Sequence, residues 1–137
     1  MKLKLIKKKT GKRSGPPRIS FGRNGYLTIN AAAQEKYGLK AGVSVAILQD
    51  EDKPDDFYLI TGTDKDWPTL RPNSGGSQLI CGYSDARNIL VDQFRMDDSG
   101  FRIYLGGQIK TEYGPAICLI TAPLIDAREK SKEVSNG

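Results

Sequence analysis

The sequence contains no histidine. The side chain most often used as a general base near neutral pH is therefore missing. Ser/His/Asp and Cys/His catalytic groupings are excluded on inventory alone. Only two cysteines are present, Cys81 and Cys118. Two thiols without an imidazole are too few for a protein zinc site. Each lies inside an apolar run, Leu79-Ile80-Cys81 and Ile117-Cys118-Leu119, and reads as a reduced, buried thiol acting as a small hydrophobe. No run approaches the roughly 20 apolar residues of a membrane span. Lysines interrupt Leu3, Leu5 and Ile6, so no signal-peptide core forms at the N-terminus. No membrane association and a cytoplasmic location are expected.

Phosphate-loop and calcium-loop patterns fail on spacing. The glycine cluster Ser74-Gly75-Gly76-Ser77 lacks the downstream Lys-Ser/Thr of a nucleotide loop. Asp50, Glu51, Asp52, Asp55 and Asp56 resemble an EF-hand only in charge. Position six of that loop would be Asp55 instead of Gly, and position twelve Thr61 instead of Glu. They read as a solvated acidic hairpin loop. The expectation is a protein that is not an enzyme, with no catalytic residue, metal ligand or cofactor.

Acidic residues are also missing from the first 34 positions. Nine of the 21 bases lie in residues 1–23, and the other twelve face all 16 acids, so a +9 leader joins a body of net charge −4. Such segregation points to a polyanionic partner more strongly than a uniform excess does. Residues 1–17 read as a basic arm, with a short strand open for Lys2 to Lys7. Within it, Lys7, Lys8, Lys9, Lys12 and Arg13 are candidates for neutralising phosphates. Solubility alone is the alternative reading of such lysines.

The rest has the length and apolar content of one domain, 38% of the 137-residue chain. With 15 Gly and 7 Pro, short strands and frequent turns are favoured over long helices. Ile19 and Phe21, then Leu27 and Ile29, alternate around Asn24-Gly25. A three-residue loop, Arg23-Asn24-Gly25, pairs Phe21 with Leu27 and Ile19 with Ile29, gathering the apolar set on one face. Asn30 reads as an N-cap, Ala31 to Tyr37 as a helix and Gly38 as its left-handed stop. Val43, Val45 and Ile47 alternate as a strand, and Phe57 to Thr61 form another. Residues 62–77 read as a connection between halves 18–61 and 78–126. In the second half, Gln78 to Cys81 read as a strand and Ser84 as an N-cap. A helix is favoured through Phe94, with strand left open for Ile89-Leu90-Val91. Phe101, Ile103 and Leu105 alternate; a turn-rich loop and the strand Ala116 to Thr121 follow. Residues 127–137 read as a polar, frayed tail.

The expected fold is therefore α+β and β-rich: a small barrel-like domain, 18–126, built from two strand-helix-strand-strand pseudo-repeats. Both halves end their last strand in Leu-Ile-Thr, at Leu59-Ile60-Thr61 and Leu119-Ile120-Thr121.

Residues 25–47, GYLTINAAAQEKYGLKAGVSVAI, resemble the core of AbrB-like swapped-hairpin DNA-binding proteins. The matching features are Gly25, Leu27-Thr28-Ile29, the helix to Tyr37-Gly38, Leu39, the turn Lys40-Ala41-Gly42 and the strand from Val43. The match has no gaps and covers about a sixth of the chain. It departs at Asn30, where the family carries Pro, at Val43, where it carries Asp, and at Ala31 to Ala33, where bases are common. The resemblance implies a small barrel and a DNA-binding regulator, either as a homodimer or as one chain holding two such units. With the arm, it makes Arg18, Arg23, Lys36 and Lys40 candidate contacts, the two arginines being best placed for base edges or defined phosphates. Phe21, Tyr26, Tyr58, Trp67 and Tyr104 are possible stacking residues, with sheet or core packing the plainer reading. A nucleic-acid-binding protein, with DNA preferred to RNA, is thus the leading expectation. The alternative is a non-catalytic adaptor or structural protein, for which the acidic body and Trp67 would form the surface.

Overall fold

In the computed structural model, residues 1–4, 15–74, 76–97 and 99–135 are described. Over these residues the fold is α+β and strand-rich: eight antiparallel strands in one curled, half-barrel sheet, with three helices.

Strands β1 (Arg18–Phe21) and β2 (Tyr26–Ile29) form a hairpin. Its register pairs Ile19 with Ile29 and Phe21 with Leu27. All four are buried, so one face of the ribbon points to the core. The loop closes through Gly22 N–H to the Tyr26 carbonyl, 2.9 Å, and Gly25 N–H to the Gly22 carbonyl, 3.0 Å. Gly25 has φ +86°, and a Cβ there would collide with the Ser84 hydroxyl. Helix α1 (Ala31–Tyr37) starts at Asn30, whose Oδ1 accepts from Ala33 N–H at 3.0 Å. It stops at left-handed Gly38, φ +66°. The extended strands β3 (Ser44–Gln49) and β4 (Phe57–Gly62) follow.

The stretch 62–77 is more than a connection. It includes strand β5 (Arg71–Pro72), which pairs with β6 (Leu79–Gly82). Just before β5, the chain lies along the edge of β3. Val45 N–H donates to the Pro68 carbonyl at 2.9 Å, and Leu70 N–H to the Val43 carbonyl at 2.8 Å. Sheet order is β3-β4-β8-β7-β1-β2-β6-β5, with β7 (Phe101–Thr111) and β8 (Gly114–Ile120). Residues 68–72 therefore touch both edges of the curl, and Leu70 among them is buried.

Further expectations change. Tyr83, not Ser84, is the N-cap of α2 (Ser84–Phe94), and no side chain caps that end. The turn-rich loop expected after Leu105 is strand. β7 runs to Thr111 through a register shift between Leu105 and Gln108. Gly106 and Gly107, within the expected loop, lie in this irregularity, where small residues tolerate the bend. Finally, α3 spans Ala122–Ser135, so residues 127–135 are helical where a frayed tail was expected. Of the arm, residues 1–4 are exposed and carry no strand.

One main core fills the curl: Ile19, Phe21, Leu27, Ile29, Leu59, Ile103 and Leu119, with Leu90 and Phe94 from α2. Phe21 stacks on Phe101 with ring centroids 5.3 Å apart. At the hairpin turn, the Arg87 Nε of α2 donates to the Gly22 carbonyl at 3.2 Å. At the opposite end of the hairpin lies α1. The two helices thus sit at the ends of the hairpin and leave the outer face of the strands to solvent.

Candidate nucleic-acid interface

Side chains alternate across a strand, so the residues between the core positions point outward. On β1 these are Arg18 and Ser20, and on β7 Arg102 and Tyr104. The β1–β7 register places Arg18 opposite Tyr104 and Ser20 opposite Arg102. Ser20 is opposite Thr28, Thr28 opposite Ile80, and Ile80 opposite Arg71. One row, Arg102–Ser20–Thr28–Ile80–Arg71, therefore crosses five strands with an arginine at each end. Arg71 and Arg102 are exposed, and Arg18 is half-buried. Tyr26 and Tyr104 flank the row, 37% and 39% exposed. The Arg71 guanidinium lies over the Tyr26 ring, 5.7 Å from its centroid. No Asp or Glu occurs in any of the eight strands. Among the described residues, the acids are confined to loops, turns and helices.

This face is not the expected cluster. Lys7, Lys8, Lys9, Lys12 and Arg13 lie outside the described residues. Arg18 belongs to the face. Its backbone N–H donates to Asn30 Oδ1 at 3.1 Å, and Asn30 Nδ2 donates to the Pro16 carbonyl at 2.9 Å. The arm is thereby clasped where it enters the sheet. Arg23 is exposed at the hairpin tip, five residues from Arg18, or about 16 Å along an extended chain. Lys36 and Lys40 are exposed on either side of Gly38, beyond the other end of the hairpin. Lys36 Nζ sits 5.5 Å from the Tyr37 ring centroid. The hairpin thus keeps Arg23 apart from Lys36 and Lys40.

The residues missed were Arg71 and Arg102. Alternation of Arg102 and Tyr104 with Ile103 and Leu105 carried a signal for the second. For Arg71 nothing local did, because only its pairing with Ile80 gives it a face.

Another part of the outer surface is covered. Trp67 packs with Ala46, Ile60 and Ala116 on the outside of β3, β4 and β8. A Cβ on Gly62 would come within 2.8 Å of its ring. Farther along that surface lies a cleft of about 540 Å³, lined by Leu48, Tyr58, Ile109 and Tyr113, with Asp50, Glu51 and Glu112 also lining it. Asp50 Oδ1 accepts from Asp52 N–H at 2.8 Å and Lys53 N–H at 3.2 Å, a turn-forming role.

Burial pushes the Cys81 thiol up to about 11 and also raises Cys118. Both stay protonated at neutral pH and are poor nucleophiles there. Among the described residues, no group of three or more His, Cys, Asp or Glu could hold a metal ion. No helix among them is long and apolar enough to cross a membrane. Comparison with protein-family models, with curated proteins and with solved structures finds no match.

Proposed function

We propose that this chain is a non-enzymatic nucleic-acid-binding protein that engages phosphates through its outer sheet face and its basic arm. The observation that carries the reading is a sheet whose strands hold no Asp or Glu and bear Arg18, Arg71 and Arg102 around two exposed tyrosines. Arginine suits phosphate because its planar fork donates two parallel hydrogen bonds. The clasp at Asn30 holds Pro16 and Arg18 at the edge of that face, and the expected contacts Lys7, Lys8, Lys9, Lys12 and Arg13, outside the described residues, are proposed to add phosphate contacts to it. DNA is the preferred polymer and the cytoplasm the expected location.

We also infer an AbrB-like unit present twice in one chain. Supporting this, β2-α1-β3-β4 and β6-α2-β7-β8 share their element order. Exchanging the halves turns the β3·β4 pair into β7·β8 and leaves β2·β6 and β4·β8 unchanged. The β1·β7 pair becomes β5·β3, matched by the Ser44–Thr69 bridge just ahead of β5. One chain supplies both halves, so a monomer suffices for binding.

The test is affinity for DNA measured from about 50 to 200 mM salt, where several phosphate contacts produce a steep loss. Arg71→Ala with Arg102→Ala should lower the logarithmic salt slope by about two. No binding even at low salt, or a slope unchanged by both substitutions, defeats the reading.

The cleft beside Tyr113 favours the second reading, an adaptor. Its apolar floor and acidic lining suit a basic, apolar peptide of another protein. Loss of a defined protein partner on Ile109→Asp, with DNA affinity unchanged, would decide for it.

A further inference from the structure

The width of the arginine–tyrosine face bears on which form of nucleic acid it takes. The row from Arg102 to Arg71 crosses five strands, four inter-strand spacings, or about 19 Å. The major groove of B-DNA is about 12 Å wide and admits a helix or a two-stranded ribbon. This sheet is too broad to enter it, and the minor groove is about 6 Å wide. Against a duplex the arginines could meet phosphates at the groove rims, but Tyr26 and Tyr104 would stop short of the bases.

The tyrosines are placed for something else. Tyr26 stands opposite Gly82, so no side chain flanks it on β6. Tyr104 stands between Arg18 on β1 and Ile120 on β8, and Ile120 is itself 43% exposed. Burying such rings costs nothing in lost hydrogen bonds if the hydroxyl stays wet, and every base offers a flat face to them. Tyr104 and Tyr26 lie on strands separated by β1, about 10 Å across the sheet, and are also offset along it. They would hold bases some nucleotides apart, with arginines between and beyond them for the backbone.

We propose, resting on the nucleic-acid reading above, that this face binds single-stranded nucleic acid, with Tyr26 and Tyr104 as stacking platforms. The backbone is held by Arg71, Arg102 and Arg18. Arg71 serves twice, since its guanidinium already lies along Tyr26 and can extend the stack.

The experiment is fluorescence anisotropy with the full chain against oligo(dT), the matching ribo-oligonucleotide and a DNA duplex of equal length, at one low salt concentration. Either single strand should bind at least about fivefold tighter than the duplex. Tyr104→Ala and Tyr26→Ala should each weaken single-strand binding about 5- to 150-fold and leave duplex binding unchanged. Tyr104→Phe, which keeps the ring, should retain affinity. Both side chains are exposed, and thermal melts establish that the variants fold. Duplex bound as well as or better than single strand, or indifference to both alanine variants, overturns the inference and leaves nucleic-acid binding standing. Failure to bind any of the three overturns the inference together with the reading beneath it.

Discussion

Asp55 and Arg128 meet fork to fork, Nη1 to Oδ1 at 2.7 Å and Nη2 to Oδ2 at 2.8 Å. The same Nη1 donates to the Gln93 carbonyl at 3.0 Å, and Gln93 Nε2 donates to Asp55 Oδ1 at 2.8 Å. The guanidinium also lies 5.6 Å from the Phe94 ring centroid. One ion pair therefore ties α3 to the end of α2 and to the β3–β4 loop. These bonds, led by the one from Arg128, hold the Asp55 carboxyl at about 2, below its usual 3.8.

A depressed carboxyl stabilises the fold above its unfolded value and loses that contribution as pH falls through the folded one. Stability should therefore drop between pH 5 and pH 2 by about 1–2 kcal/mol from this group, a figure trimmed because the side chain is 32% exposed. Asp55→Asn should remove that part of the acid slope in urea titrations run at several pH values. An unaltered slope in the variant would show that the pair is not a linkage site.

Asn30 satisfies three backbone groups at once: the N–H groups of Arg18 and Ala33 and the Pro16 carbonyl. It is 3% exposed, so water is poorly placed to replace it. Asn30→Ala should cost about 2–3 kcal/mol in chemical denaturation, a lost cap plus orphaned polar groups. Asn30→Asp keeps the acceptor but lacks the donor to Pro16, so it should fall between the two.

Gly25 and Gly38 both have positive φ, yet they should tolerate alanine differently. At Gly38 an added Cβ meets nothing within 4 Å, leaving only the left-handed penalty of about 1–2 kcal/mol. At Gly25 the methyl also drives into Ser84, both hydroxyl and backbone. Gly25→Ala should therefore cost clearly more than Gly38→Ala in thermal melts, by about 1–3 kcal/mol. Equal losses would mean that the hairpin tip can swing away from α2.

Local chemistry made the first hairpin and α1 legible. Asn24-Gly25 and the apolar alternation around it leave one register that buries Phe21 and Leu27 together. Asn30 and Gly38 bracket a helix with standard caps. The second half was less legible because its signals conflict. Gly106-Gly107 carries the composition of a turn but sits in a long, bent strand. The C-terminal helix was hidden because only Leu124 and Ile125 at its start pack on the core, and the polar run that follows is tied down by an ion pair from Arg128 to a residue 73 positions earlier. The arginine–tyrosine face was the least legible feature. Arg18, Arg71 and Arg102 come to share one face only through strand order, and no single-sequence period encodes which strands adjoin.

The exclusion of carboxylates from the strands has a kinetic consequence. Arg71 and Arg102 project from strands that carry no opposing charge of their own. On the proposed reading, a polyanion within about a Debye length, 10 Å at 0.1 M salt, is drawn toward these side chains before any contact forms. Ionic strength should then act mainly on the encounter rate, while residence time follows the short-range packing that comes after.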